Sequence, residues 1–143
     1  MRKILFRGKS RLNVNYLGED EPLVKKGEWV YGSLILDDVD YHHIHTLTRR
    51  GREFVNVEAE TIGQFTGLLD CEGRGIYEGD ILMVTQGAME GFRGYVEWRV
   101  DFAEWELKSR RSQMAISQHI IKGYGMKIVS NIHDNPKFLE EIK

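Results

Sequence analysis

At 143 residues the chain is one domain by length, or at most two small ones, and it can bury enough surface to fold without disulfides or a metal. Hydrophobic residues make up 41% and charged residues 29%, the balance of a soluble globular protein, and 20 Lys and Arg against 22 Asp and Glu give a net charge of −2, which excludes a wholesale polyanion binder while leaving room for a local basic face. No run approaches the roughly 20 apolar residues of a membrane span. The start, Met1-Arg2-Lys3-Ile4-Leu5-Phe6-Arg7, lacks the apolar stretch of a signal peptide. One cysteine excludes an internal disulfide and points to a reducing compartment.

Glycine is abundant and proline scarce, and the glycines between 63 and 94 cut the middle of the chain into pieces suited to short strands and tight turns. The expectation is a mainly β protein. The first strand is expected over Lys3–Arg7, followed by a polar, Gly-interrupted excursion over 8–27. Residues 1–18 carry Arg2, Lys3, Arg7, Lys9 and Arg11 without an acid before Glu19, Asp20 and Glu21 reverse the sign. This is either a solvated face or a basic arm. Trp29–Leu36 reads as a strand with Val30, Gly32, Leu34 and Leu36 on the more apolar, buried side. Residues 37–53 read as charged and irregular, and Phe54–Val57 as the next strand.

From Thr61 the alternation sharpens through Leu68. Asp70-Cys71-Glu72-Gly73 is a turn, because Asp can accept from its own backbone two residues on and Gly tolerates positive φ. Ile76-Tyr77, a turn at Glu78-Gly79-Asp80, a strand over Ile81–Val84, a Gly-rich loop and a returning strand over Tyr95–Val100 resemble the hairpins of a small SH3-like barrel. Phe102–Lys108 continues the pattern. Residues 109–125 are ambiguous, Met126–Ile132 is a final strand, and Asn135-Pro136 starts a short helix over Lys137–Lys143. The chain is read as a single domain, 1–143, with a possible subdivision into an amino-terminal β region (1–57) and a barrel-like region (58–143).

The string Thr61-Ile62-Gly63-Gln64-Phe65-Thr66-Gly67-Leu68, then Asp70, Gly73 and Ile76-Tyr77-Glu78-Gly79-Asp80-Ile81, is followed by Gly94-Tyr95-Val96-Glu97-Trp98 and by Ile128-Val129-Ser130-Asn131-Ile132-His133-Asp134-Asn135-Pro136-Lys137-Phe138-Leu139. With Lys3-Ile4-Leu5-Phe6-Arg7-Gly8 and Trp29-Val30-Tyr31-Gly32, it resembles the YopX family of phage and prophage proteins over nearly the whole chain. Ser130 stands where the family pattern has Gly, and Cys71-Glu72 where its turn has Lys-Asn. Neither change threatens the fold, since Asp70 and Gly73 keep the turn positions. The resemblance implies a β-rich fold of complex topology and the cytoplasm of a bacterial host. It brings no catalytic residue, cofactor or agreed ligand.

The residues themselves offer three chemistries. His43 and His45, on a strand, would share a face about 6.5–7 Å apart, a weak metal pair needing a third ligand such as His119, His133 or Cys71. Cys71, flanked by Asp70 and Glu72, lacks the cationic surroundings of a nucleophile. Glu78 and Asp80 could pair as acid and base, but Asp80 suits a turn that needs its carboxylate on backbone N–H groups. Glu97, Asp101, Glu104 and Glu106 alternate with aromatics like an exposed strand face. No nucleophile elbow, phosphate loop or dinucleotide fingerprint occurs. Two basic groups, Arg49-Arg50-Gly51-Arg52 and Lys108-Ser109-Arg110-Arg111, each near an aromatic residue, fit either solvation or nucleic-acid binding. The favoured expectation is a non-catalytic interaction module that binds a host or phage protein or assembles with itself. Nucleic-acid binding through Arg49, Arg50, Arg52, Lys108, Arg110 and Arg111 is the alternative, and a metal-dependent enzyme on His43 and His45 the second.

Overall fold

The computed structural model describes residues 1–37 and 41–142. It divides into two compact units, residues 1–64 and 65–143, each with its own apolar core. All strand pairs are antiparallel. No helix among the described residues is long and apolar enough to cross a membrane.

The first unit is built on β1 (Phe6–Lys9), β2 (Trp29–Leu36), β3 (His42–Thr48) and β4 (Gly51–Asn56), in the order β4-β3-β2-β1. The first two residues of β5 (Gly63–Leu69) pair with β1, Gly63 opposite Arg7 and Gln64 opposite Phe6. The core face carries Val30, Ile44 and Val55, joined by Val24 and Val57. Val24 reaches it through a bridge to Val14 that closes the excursion between β1 and β2, and Ser10 bridges to Val57. A Cβ at Gly32 would sit 2.0 Å from the His45 carbonyl oxygen, so glycine there lets β2 and β3 approach.

The stretch 37–53, expected to be irregular, instead holds β3 and the first half of β4; only residues 38–40 of it lie outside the described residues. The alternation was obscured because just one parity enters the core, Ile44 on β3 and Val55 on β4, while apolar Leu47 and Phe54 point the other way. The first strand begins at Phe6, three residues after the expected start at Lys3, and runs on to Lys9.

In the second unit the rest of β5 pairs with β6 (Gly75–Tyr77), and a five-stranded sheet runs β10-β9-β8-β7-β11. Its strands are β7 (Asp80–Met83), β8 (Arg93–Arg99), β9 (Glu104–Lys108), β10 (Gln113–Ala115) and β11 (Lys127–Asn131). Leu82, Val84, Val96, Trp105, Leu107, Ile121 and Met126 form the core. The ladder stays open at β10 and β11, so the closed SH3-like barrel expected for this half is absent from the pairings of the described residues. A short three-residue 3-10 turn at Val100–Phe102 separates β8 from β9.

The ambiguous stretch 109–125 resolves into the β9–β10 hairpin and helix α1 (Gln118–Tyr124). Ser117 caps α1 by accepting from the Ile120 N–H, and Gly125, with φ of 57°, ends it. Helix α2 (Lys137–Ile142) starts where Asn135 and Pro136 place it: the Phe138 and Leu139 N–H groups donate to the carbonyls of these two residues. The expected last helical residue, Lys143, lies outside the described residues.

Candidate interaction face

The register of β2, β3 and β4 places side chains turned away from the first core in rows. Ile35 lies opposite His43 and Ser33 opposite His45; across β3, His43, His45 and Leu47 lie opposite Asn56, Phe54 and Arg52. Tyr31 extends the β2 row by one position of the same parity. Four large apolar side chains of this face stand open: Tyr31, Ile35, Leu47 and Phe54 are 47%, 40%, 70% and 62% exposed. The His45 ring lies flat against Phe54, centroids 4.6 Å apart and planes 13° from parallel. The rings are thereby fixed without being covered. Arg52 is the exposed cation of the β4 row.

His43 and His45 do share a face of β3, as the strand geometry requires. Their surroundings are aromatic: His43 stacks on Tyr41 at 6.1 Å and His45 on Phe54. No group of three His, Cys, Asp or Glu able to hold a metal gathers among the described residues. The third ligand that a site would need is therefore missing there.

Arg49 and Arg50, at the tip of the β3–β4 hairpin, are turned inward onto one carboxylate. Arg49 Nη2 donates to Glu19 Oε2 at 2.7 Å, and Arg50 donates to Glu19 Oε1 through Nε at 2.6 Å and through Nη2. Arg49 also donates to the carbonyls of Glu21 and Pro22, and the Arg50 guanidinium lies 4.9 Å above the Tyr16 ring. The hydrogen bonds from Arg50 and Arg49 hold the Glu19 carboxyl below its ordinary pKa. These two arginines clamp the hairpin to the 13–24 excursion, and of the three candidates in this group Arg52 alone projects from a strand face.

In the second unit, Lys108 Nζ lies 3.2 Å from Glu97 Oε2, a hydrogen bond that raises the lysine pKa. Arg110 and Arg111 occupy the exposed β9–β10 turn. Glu106 departs from the exposed acidic face expected of it, being only 4% exposed, with Arg99 Nε 3.8 Å from its Oε2. Burial raises the pKa of Tyr95, which stands opposite Lys108 on the same pair of strands.

The remaining carboxylates serve turns. Asp70 Oδ1 accepts from the Glu72 and Arg74 N–H groups, and its Oδ2 from Ile128 N–H and Arg74 Nε. Burial pushes the Asp70 carboxyl upward, but the three backbone donors and the Arg74 charge outweigh it and leave the pKa lowered. Asp80 Oδ2 accepts from Tyr77 N–H at 2.8 Å across the Gly79 turn, where Gly79 has φ of 90°. Cys71 is exposed at the tip of the Asp70 turn.

The open face of β2–β4 is what sequence reasoning missed. The signal was present as the period-two series His43, His45, Leu47, with Ile44 between them.

Comparison with known proteins gives the same fold. The family model described as YopX protein matches residues 9–140. The crystal structure of protein EF1440 from Enterococcus faecalis is similar over 97% of this chain and 99% of its own, with a TM-score of 0.57 and 21% identity, a likeness of fold alone. No curated protein matches the sequence.

Proposed function

The chain belongs to the YopX family, and on that premise we propose that it is a non-catalytic association module of phage or prophage origin, working in the bacterial cytoplasm, that joins a second copy of itself through the open face of β2–β4. The observation that carries the reading is the row of exposed Ile35, Leu47 and Phe54 around the stacked His45. Single exposed apolar side chains are ordinary, whereas several side by side on one sheet face are characteristic of a contact surface.

A second copy fits because the face carries both halves of one recognition element. Arg52 supplies a guanidinium, and Phe54 and Tyr31 supply rings on which a guanidinium can lie. In an isologous pair each copy contributes both, so one Arg52–ring contact implies its symmetry mate. Of the three acids buried among the described residues, two support a non-catalytic reading: Asp70 and Asp80 are committed to backbone N–H groups.

The test is sedimentation velocity over the micromolar range on the wild type and on a Leu47→Ser/Phe54→Ser double variant. Both side chains are exposed, so the variant keeps its fold. The wild type should show concentration-dependent dimerisation and the variant should sediment as a monomer. A wild type that stays monomeric throughout, or a variant that dimerises equally well, overturns the reading.

A further inference from the structure

We infer that the β9–β10 hairpin of the second unit is a docking element for duplex DNA, with Arg110 and Arg111 on the phosphates. The inference stands apart from the association face, which lies in the other unit.

Charge segregation is the first observation. From Leu107 to His133 the chain has no Asp or Glu, while Lys108, Arg110, Arg111, Lys122 and Lys127 fall within it. A net charge of −2 for the whole chain hides this local excess. Two of the five cations are compensated from outside the segment, Lys108 by Glu97 at 3.2 Å and Lys127 by Glu72 at 3.9 Å. Arg110 and Arg111 form no ion pair among the described residues, in contrast to Arg49 and Arg50, which share Glu19.

Shape is the second. Gln113, Met114 and Ala115 pair with Lys108, Leu107 and Glu106, so the arginines ride on the tip of a two-stranded ribbon. The turn is pinned by the Ser109 N–H donating to the Ser112 carbonyl at 2.9 Å, and the two serine hydroxyls lie 3.2 Å apart. Lys108, Ser109, Arg110, Arg111, Ser112 and Gln113 line a concavity of ≈ 370 Å³. Its donors are two guanidinium forks, an ammonium, two hydroxyls and an amide, the set that positions a protein on phosphate oxygens.

The choice among polyanions follows from the same residues. No apolar side chain occurs from Lys108 to Gln113, so the tip has nothing to insert into a lipid surface. A two-stranded ribbon fits the major groove of B-form DNA, whereas the major groove of A-form RNA is too narrow for side chains to read. Two uncompensated arginines give modest affinity with a shallow salt dependence, a log–log slope of about −2.

Fluorescence anisotropy with a labelled DNA duplex of about two helical turns, titrated at low and rising salt, tests the inference. The wild type should bind in the micromolar range with the slope just given. An Arg110→Gln/Arg111→Gln variant should lose at least tenfold in affinity with an unchanged melting temperature, since both residues are exposed in a turn. A matching RNA duplex should bind more weakly than the DNA. Absence of wild-type binding at low salt, a double variant that binds as well as wild type, or equal affinity for the RNA duplex overturns the proposal.

Discussion

Asp70 and Ile128, separated by 58 positions in sequence, are joined by a 3.0 Å hydrogen bond from the Ile128 N–H to the Asp70 carboxylate. The bond ties the β5–β6 turn to β11, and Arg74 closes the ring by donating to both the Asp70 carboxylate and the Ile128 carbonyl. One side chain thus organises a local turn and fixes it to a strand near the other end of the unit.

Asp70→Asn keeps the shape and one acceptor, but turns an amide N–H toward donors that now meet Oδ2. The expected cost is about 3 kcal/mol, that of leaving buried charge-assisted bonds unmade. Folding lowers the Asp70 pKa, so its contribution is complete above the unfolded value near pH 4 and is lost as the pH falls through the lower folded value. Urea denaturation from neutral to acid pH should show the wild type losing this increment and the variant, lacking it throughout, following a flatter curve.

How far the sequence disclosed this structure depends on which side chains carried the pattern. Trp29–Leu36 was legible in its bounds, and its buried side held for Val30 and Leu34, which pack in the first core, but not for Leu36, which is 65% exposed at the strand's end. The Asp70 turn was legible because Asp and Gly each have a local reason to be there. Of the β3–β4 hairpin only the end of β4, Phe54–Asn56, was legible; β3 and the start of β4 were not, since the hairpin sends Leu47 and Phe54 to solvent and His43, His45 and Thr46 blur both faces. Helix α1 was hidden by its length: over seven residues only Ile121 is buried, and its real markers are the Ser117 cap and Gly125 stop. The arginine pair at 49 and 50 was legible as charge, but its partner Glu19 is about 30 residues away and only the tertiary fold brings it near.

Two glycine substitutions should diverge in sign. At Gly32 a methyl group would collide with the His45 carbonyl, a backbone atom that cannot turn aside. Gly32→Ala should cost about 3 kcal/mol or more. Gly123, within α1, has nothing within 4 Å of a built Cβ. Gly123→Ala should stabilise by up to about 1 kcal/mol through helix propensity. Chemical denaturation of both variants beside the wild type checks the contrast.

The Glu19 clamp predicts a titration. Because hydrogen bonds from Arg50 and Arg49 lower its pKa, the Glu19 carboxyl resonance should move at a pH below that of an ordinary glutamate. In an Arg49→Gln/Arg50→Gln variant its midpoint should rise toward the ordinary value. A midpoint equal in the two proteins would show that the guanidinium groups do not hold this carboxylate in solution.

The most direct test of the association face is an isotope-filtered nuclear Overhauser experiment on an equimolar mixture of carbon-13-labelled and unlabelled chain. The account predicts intermolecular cross-peaks from the Leu47 and Ile35 methyl groups to the Phe54 ring. A spectrum with no intermolecular cross-peaks to these residues, at concentrations where the chain is present as a dimer, would contradict it.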